Sequence, residues 1–275
     1  MSMHNPEILH KFSPSTCKGI TDVFNEIKDK LSWSEKESIL DVGCGTGNVT
    51  TNVVIKFSPP DSSITATDIS LDMIEFAKKT YNNPRITFAL MDILDDNLLT
   101  KWKEQQFNKV FCFYVMQRIV DDKKAYTNMY KLLKPGGEIL VAFPGKHGFD
   151  EVSPFLANIQ KYTSYREELF KMKFHASPKE DYVSHSTQVL KNIGFNVITC
   201  KTIPITFQLN SIYDFVEIYG LASRLSDILP EDLFNEAMED VKTIIPVNNL
   251  FGHSNGNCYV NYELIILIAK KPLQE

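Results

Sequence analysis

The segment from Ile39 to Gly47, Ile-Leu-Asp-Val-Gly-Cys-Gly-Thr-Gly, constrains this chain more than any other. A short apolar strand runs into a turn with glycine at every second position, Gly43, Gly45 and Gly47. A Cβ there would forbid positive φ or hold the backbone away from a ligand, so the spacing suits a nucleotide-type cofactor lying across a strand end. The dinucleotide fingerprint Gly-x-Gly-x-x-Gly places its third glycine one residue later, where this chain has Asn48. Asp41, two residues before the first glycine, would repel a pyrophosphate and attract the ammonium group of a methionine moiety, directly or through water. The charge favours S-adenosyl-L-methionine; a glycine-rich connection with no ligand is the alternative.

The segments that follow come in the order a doubly wound sheet requires. Val49, Val53, Val54 and Phe57 form a helical apolar stripe that Pro59-Pro60 ends. A second strand, Ile64 to Thr67, delivers Asp68, whose carboxylate can accept both hydroxyls of a ribose. Ser70 suits the N-cap of a helix from Leu71 to Tyr81, so Asp68 also reads as a plain helix entry. A third strand, Ile86 to Leu90, leads to Asp92, placed to accept from an adenine amine, and Ile93, placed to cover the ring; a turn-forming Asp is the competing reading. Cys44 between the glycines, Ile69 and Met73 beside Asp68, and Phe113 on the fourth strand complete the candidate cofactor set. That fourth strand, Lys109 to Val115, is a nearly continuous apolar run, as expected of a parallel strand covered on both faces. Leu132 to Gly137, Leu-Leu-Lys-Pro-Gly-Gly, reads as a helix stop before strand five, Glu138 to Phe143.

Composition narrows the partners. A net charge of −5 over 275 residues gives no electrostatic reason to bind nucleic acid. Residues 1–11 lack an apolar leader region, and Leu264 to Ala269 is too short to span a bilayer, so a cytoplasmic protein without membrane contact is expected. The five cysteines are scattered without a Cys-x-x-Cys pair, and no two histidines stand at a metal-ligand spacing such as i, i+4, so neither disulfides nor a metal are expected.

The joint order Asp-x-Gly-x-Gly-x-Gly, Asp after strand two, Asp after strand three and Leu-Lys-Pro-Gly-Gly resembles the class I S-adenosylmethionine-dependent methyltransferases over residues 35–145. The resemblance implies an α/β, Rossmann-like sheet of seven strands, mostly parallel with an antiparallel last strand, and S-adenosyl-L-homocysteine as product. One domain over residues 1–275 is expected. Residues 1–34 hold an amphipathic helix from about Ser15 to Leu31, residues 35–145 the cofactor-binding core, and residues 258–270 the last strand, after a sixth strand from Phe195 to Leu209. Residues 146–193 and 209–257 are expected to be helical insertions capping the strand ends, rich in aromatic and aliphatic side chains such as Phe149, Phe174, Phe215 and Tyr219.

Phe113-Tyr114, the Leu-Lys-Pro-Gly-Gly stop, the aromatic insertion and the Ile-Pro-Ile-Thr-Phe strand also resemble the insect juvenile hormone acid methyltransferases. That family esterifies farnesoic acid or juvenile hormone acid, which implies a small apolar carboxylic acid as partner. In the family an N-terminal Tyr and Gln and a His-Trp pair lie at cofactor and substrate; the matching positions here hold Leu9, Thr16 and the pair Gln117-Arg118. Gln117, Arg118 and Tyr114 are accordingly the candidate catalytic residues. A carboxylate with a pKa near ~4.3 is ionised at neutral pH and needs no general base, only a donor that orients it. Methylation of an amine or phenol, with Tyr114 or His147 as base, and a cofactor-binding paralogue without turnover stay open, as does a homodimer.

Overall fold

A computed structural model describes residues 5–102, 107–145, 148–247, 252–254 and 257–273. Strands β1 (Ser38–Val42), β2 (Ser63–Asp68), β3 (Ile86–Leu90), β4 (Phe107–Phe113), β5 (Leu133–Pro144), β6 (Asn196–Leu209) and β8 (Asn257–Lys270) form one sheet in the order β3-β2-β1-β4-β5-β8-β6; short β7 (Gly252–Ser254) pairs with β8. Strands β1 to β5 are parallel, and β8 runs antiparallel to both β5 and β6. The sheet is therefore the mostly parallel one expected, with the antiparallel strand last in the chain. Neighbours β1 and β4 place Val42 beside Cys112, so the glycine turn and the residues after Phe113 emerge side by side.

The long apolar runs divide by alternation. In β5, Leu140 and Ala142 enter one core while Ile139, Val141 and Phe143 enter the other; in β8, Leu264, Ile266 and Ile268 oppose Ile265, Leu267 and Ala269 in the same way. A strand buried on both faces has no polar side, which is why its sequence reads as continuous.

Helices α1 (Pro6–Lys11), α2 (Ser13–Ile27), α3 (Ile55–Phe57), α4 (Leu71–Thr80), α5 (Leu98–Trp102), α6 (Asp122–Leu132), α7 (Val152–Leu156), α8 (Arg166–Lys171), α9 (Tyr182–Ile193), α10 (Ile212–Ala222) and α11 (Glu231–Val247) surround the sheet. Helix α3 continues a π-helical turn, Thr50–Val54. The amphipathic helix expected from about Ser15 to Leu31 is α2, which ends at Ile27, and a further short helix, α1, precedes it; the two meet at Phe12, next to Pro14, which lacks an N–H and suits a helix start. Strand β5 begins at Leu133 rather than Glu138: Leu133 pairs with Phe107 and Glu138 with Lys109, so the Lys-Pro-Gly-Gly segment loops out of a strand already begun. Strand β4 stops at Phe113, two residues early, because Tyr114 adopts φ of 58° and turns the chain. Among its described residues, the second insertion holds α10, a 3-10 turn at Leu225–Asp227, α11 and β7. The cap shares the core of one sheet face: Phe149, Tyr162, Phe215 and Tyr219 belong to the same cluster as Phe24 and Phe111. No helix among the described residues is long and apolar enough to cross a membrane.

Candidate active site at the strand carboxyl ends

The glycine turn is held by backbone before any ligand arrives. The Gly43 and Cys44 N–H groups donate to the Thr67 carbonyl at 2.7 and 2.8 Å, and Gly47 donates to Cys44 at 3.0 Å. Gly43 and Gly47 take φ of 74° and 77°. A Cβ on Gly43 would lie 2.1 Å from Val115 Cγ2, and one on Gly47 would lie 2.8 Å from Phe88 Cε1. Two of the three glycines are thus required by backbone angle and packing within the protein. At Gly45 the nearest neighbour of such a Cβ is Leu9 Cδ2, 3.3 Å away on α1, so the N-terminal helix lies over the turn.

Two carboxylates face this turn from different depths. Asp41 is 2% exposed and accepts from Thr50 Oγ1 at 2.6 Å. Burial raises its pKa from 3.8 to about 6; the Thr50 hydrogen bond opposes the shift and the nearby Asp68 charge adds to it. Asp68 bridges two segments, accepting from Gly45 N–H at 2.8 Å through Oδ2 and from Ser70 N–H at 2.9 Å through Oδ1. Ser70 Oγ in turn accepts from Met73 N–H at 3.4 Å, so Ser70 is the helix cap and Asp68 the clamp behind it. Carboxylate oxygens carry further lone pairs, and both residues can still accept from a ligand.

The remaining candidates separate. Ile69 is 68% exposed beside Asp68, an apolar surface free to cover a ring, whereas Ile93 is 5% exposed in the core with Leu40 and Val42. The Ile93 side chain is thus turned away from the surface on which it is expected to cover a ring, while that of Ile69 is open. Asp92 folds an Asx turn, with Oδ1 accepting from Leu94 N–H at 2.8 Å. Met73 is buried under α4, and Phe113 packs edge-on to Phe24 at 5.9 Å in the core. Cys44 lies half-buried in the turn, and burial together with the Asp41 and Asp68 charges pushes its thiol pKa well up, so it is no nucleophile at neutral pH.

Beyond the turn, Tyr114 directs its hydroxyl back to the protein, 2.8 Å from the Tyr262 hydroxyl on β8. Burial pushes its pKa up to about 12, so the phenol stays neutral at physiological pH and is unsuited as a base. Its carbonyl accepts from Gln117 Nε2 at 2.7 Å. Arg118 lies in the following 3-10 turn, Met116–Arg118, with its guanidinium donating to the Ala222 carbonyl at the end of α10 and lying over the Phe174 ring, 5.3 Å from the centroid. Burial and the nearby Arg224 lower its pKa to about 10, which leaves it cationic at neutral pH. Arg118 Nε and Gln117 Oε1 are buried without a hydrogen-bond partner. His147, the other candidate base, lies outside the described residues. The cap aromatics pack on one another: Phe149 meets Phe174, Phe215 and Tyr219 edge-on at 5.7, 5.2 and 5.4 Å.

Among the described residues no group of three His, Cys, Asp or Glu side chains can hold a metal ion. Thr50 and Tyr262 were not singled out from sequence. Thr50 follows the glycine motif closely enough for its hydroxyl to be noticed, but Tyr262 stands 148 positions from its partner and carries no local signal.

Comparison with known proteins finds similarity to methyltransferases. A family model described as a methyltransferase domain matches residues 34–183. The juvenile hormone acid O-methyltransferase of Bombyx mori is 25% identical over 280 residues, covering 98% of this chain and 98% of the relative. Its counterpart in Drosophila melanogaster is 25% identical over 260 residues, covering 90% and 86%. Malonyl-[acyl-carrier protein] O-methyltransferase 1 of Ilyobacter polytropus is 29% identical over 163 residues, covering 57% and 58%. Among solved structures, the YcgJ protein of Bacillus subtilis superposes with a TM-score of 0.54 at 14% identity, covering 91% of this chain and 98% of that one, a likeness of fold.

Proposed function

Since the chain belongs to the methyltransferase-domain family and is an S-adenosylmethionine-dependent enzyme, we propose that it esterifies the carboxylate of an apolar acid, with farnesoic acid and juvenile hormone acid as first candidates. The observation that carries this reading is Arg118, a buried cation at the strand ends whose Nε has no partner. A buried donor left unpaired is costly, and a carboxylate oxygen would satisfy it through a charge-assisted hydrogen bond. The names of the Bombyx and Drosophila relatives, which resemble the chain over nearly its full length, point to the same substrate class.

The turn and its carboxylates fit the donor. Asp41 suits the ammonium end, Asp68 the ribose hydroxyls, Asp92 the adenine amine, and exposed Ile69 the ring face. When bound, S-adenosylmethionine supplies an electrophilic methyl group on a sulfonium. Arg118 and Gln117 then have one task, to orient an acid that is already ionised. Arg118 holds the oxygen that does not attack, leaving the other free, and orientation of this kind can contribute about 7–11 kcal/mol. Each methylene of an apolar tail that leaves water for an apolar surface of the cap adds about 0.8 kcal/mol of affinity. An amine or phenol substrate is less well served, because Tyr114 is held neutral and its hydroxyl is hydrogen-bonded to that of Tyr262.

The test is incubation of purified protein with S-adenosylmethionine and farnesoic acid, with the methyl ester read by mass spectrometry. Ester formation that is lost in Arg118→Met is the expected result. No ester from any apolar acid, alongside calorimetric proof that S-adenosylhomocysteine binds, overturns the substrate class and favours a binding protein without turnover.

A further inference from the structure

Of three consecutive residues in the first cap insertion, Phe174 and Ala176 each grip a different part of the turn that carries Gln117 and Arg118, and His175 anchors the segment between them. The Phe174 ring lies under the Arg118 guanidinium, 5.3 Å from centroid to carbon. The Ala176 N–H donates to the Gln117 carbonyl at 2.8 Å. Between them, His175 donates from Nε2 to the Gly145 carbonyl at 2.9 Å, tying the segment to the end of β5. The segment is itself anchored: Phe174 N–H donates to Asp150 Oδ1 at 2.5 Å, and the Phe174 ring packs edge-on to Phe149 at 5.7 Å and to His175 at 5.7 Å.

These contacts leave Arg118 with a defined geometry. One guanidinium nitrogen is taken by the Ala222 carbonyl, one face is covered by Phe174, and Nε is left bare. An aromatic face holds a guanidinium in a plane without consuming any of its N–H donors, so it orients the cation while sparing the donor a ligand would use. A carbonyl or carboxylate in the same place would occupy those donors.

We infer that Phe174 is a positioning residue for the reaction, setting the plane of Arg118 so that Nε presents to the substrate carboxylate, with Ala176 fixing the backbone of the same turn. This rests on the proposed role of Arg118 in holding an acid. It assigns to the aromatic insertion a role in alignment as well as in packing.

The variants are Phe174→Leu, Phe174→Tyr, which keeps the ring, and Phe174→Met, which keeps most of the volume if the leucine variant fails to fold. Three readouts are taken on the full chain. Loss of the ring is expected to lower kcat/KM for farnesoic acid about tenfold in the leucine and methionine variants, with the tyrosine variant close to the parent. The Kd for S-adenosylhomocysteine should stay within about twofold of the parent in all three, since the ring touches none of the residues assigned to the donor. The Arg118 Nε–H resonance, assigned by its disappearance in Arg118→Lys, should lie upfield in the parent and the tyrosine variant and move downfield when the ring is lost.

A leucine or methionine variant that folds, keeps parental turnover and leaves that resonance in place overturns the inference while the proposed substrate class stands. Should the parent methylate no acid, the substrate class falls, and the resonance decides the positioning role by itself: displaced on loss of the ring, the role holds; undisplaced, it fails.

Discussion

Asp41 shows how one buried group couples cofactor and pH. Its pKa in the folded chain is about 6 against an ordinary 3.8, because burial disfavours the charged form. With the folded pKa raised, Asp41 contributes stability to the folded state that is fully present below about 4 and is lost as pH rises through about 6. A cationic ammonium end prefers the ionised carboxylate. Affinity for S-adenosylhomocysteine should therefore rise with pH between 5 and 7, approaching about tenfold per unit at the acid end, and Asp41→Asn should flatten the curve. Calorimetry across that range decides, and a parent curve as flat as the variant's removes Asp41 from the ammonium site. At Asp68, replacement by Ala should weaken the same ligand by about 1.5–3 kcal/mol, the worth of hydrogen bonds to a charged acceptor. Because Asp68 also holds Gly45 and Ser70, part of that loss is slackening of the turn, and unchanged affinity would refute the ribose assignment.

At the scale of elements, α1 is the least securely held. It has no buried residue, yet it lies across the glycine turn, with Leu9 over Gly45 and His10 ring-packed against Phe76 of α4 at 5.2 Å. Lys11 then joins it to the cap, reaching Asp214 at 2.8 Å and Glu217 at 2.6 Å on α10. It adds to these only the partly buried Ile8 against the core, where α2 has Ile20, Val23, Phe24 and Ile27 inside it. Lys11→Met should abolish hydrogen-exchange protection of the α1 amides and leave those of α2 unchanged. Protection lost equally from both would mean that the two helices open as one unit.

Across the whole molecule, a buried charge cluster joins three segments at the opposite ends of the strands from the glycine turn. Lys109 on β4 lies 3.5 Å from Glu37, just before β1, and 3.4 Å from Glu138 on β5, and all three side chains are nearly inaccessible. Ser32 Oγ donates to Glu138 at 2.6 Å and Trp33 lies beneath the Lys109 ammonium, so the linker from α2 is pinned to the same point. Lys270 also reaches Glu138 at 3.7 Å from a more exposed position, but removing Lys109 takes away the buried cation that lies between the two carboxylates. Lys109→Met should cost about 3–5 kcal/mol in denaturant unfolding, while the triple variant that also carries Glu37→Gln and Glu138→Gln should recover most of it. A single variant as stable as the parent would show that solvent reaches the cluster.

The sequence by itself determined the sheet and the glycine turn at its strand ends, because both rest on short-range rules. Alternation within β4, β5 and β8 separates two cores, and Asp41, the glycines and Asp68 stand at strand ends that chain order alone assigns. Tertiary structure decided the rest. Ile93 turned inward because its neighbours Leu40 and Val42 belong to another strand, Tyr114 lost its candidacy as a base to a hydroxyl on β8, and Arg118 gained its setting from Phe174 and Ala222. Each of these depends on groups brought together from distant parts of the chain, and a spacing rule reads only what the backbone places nearby.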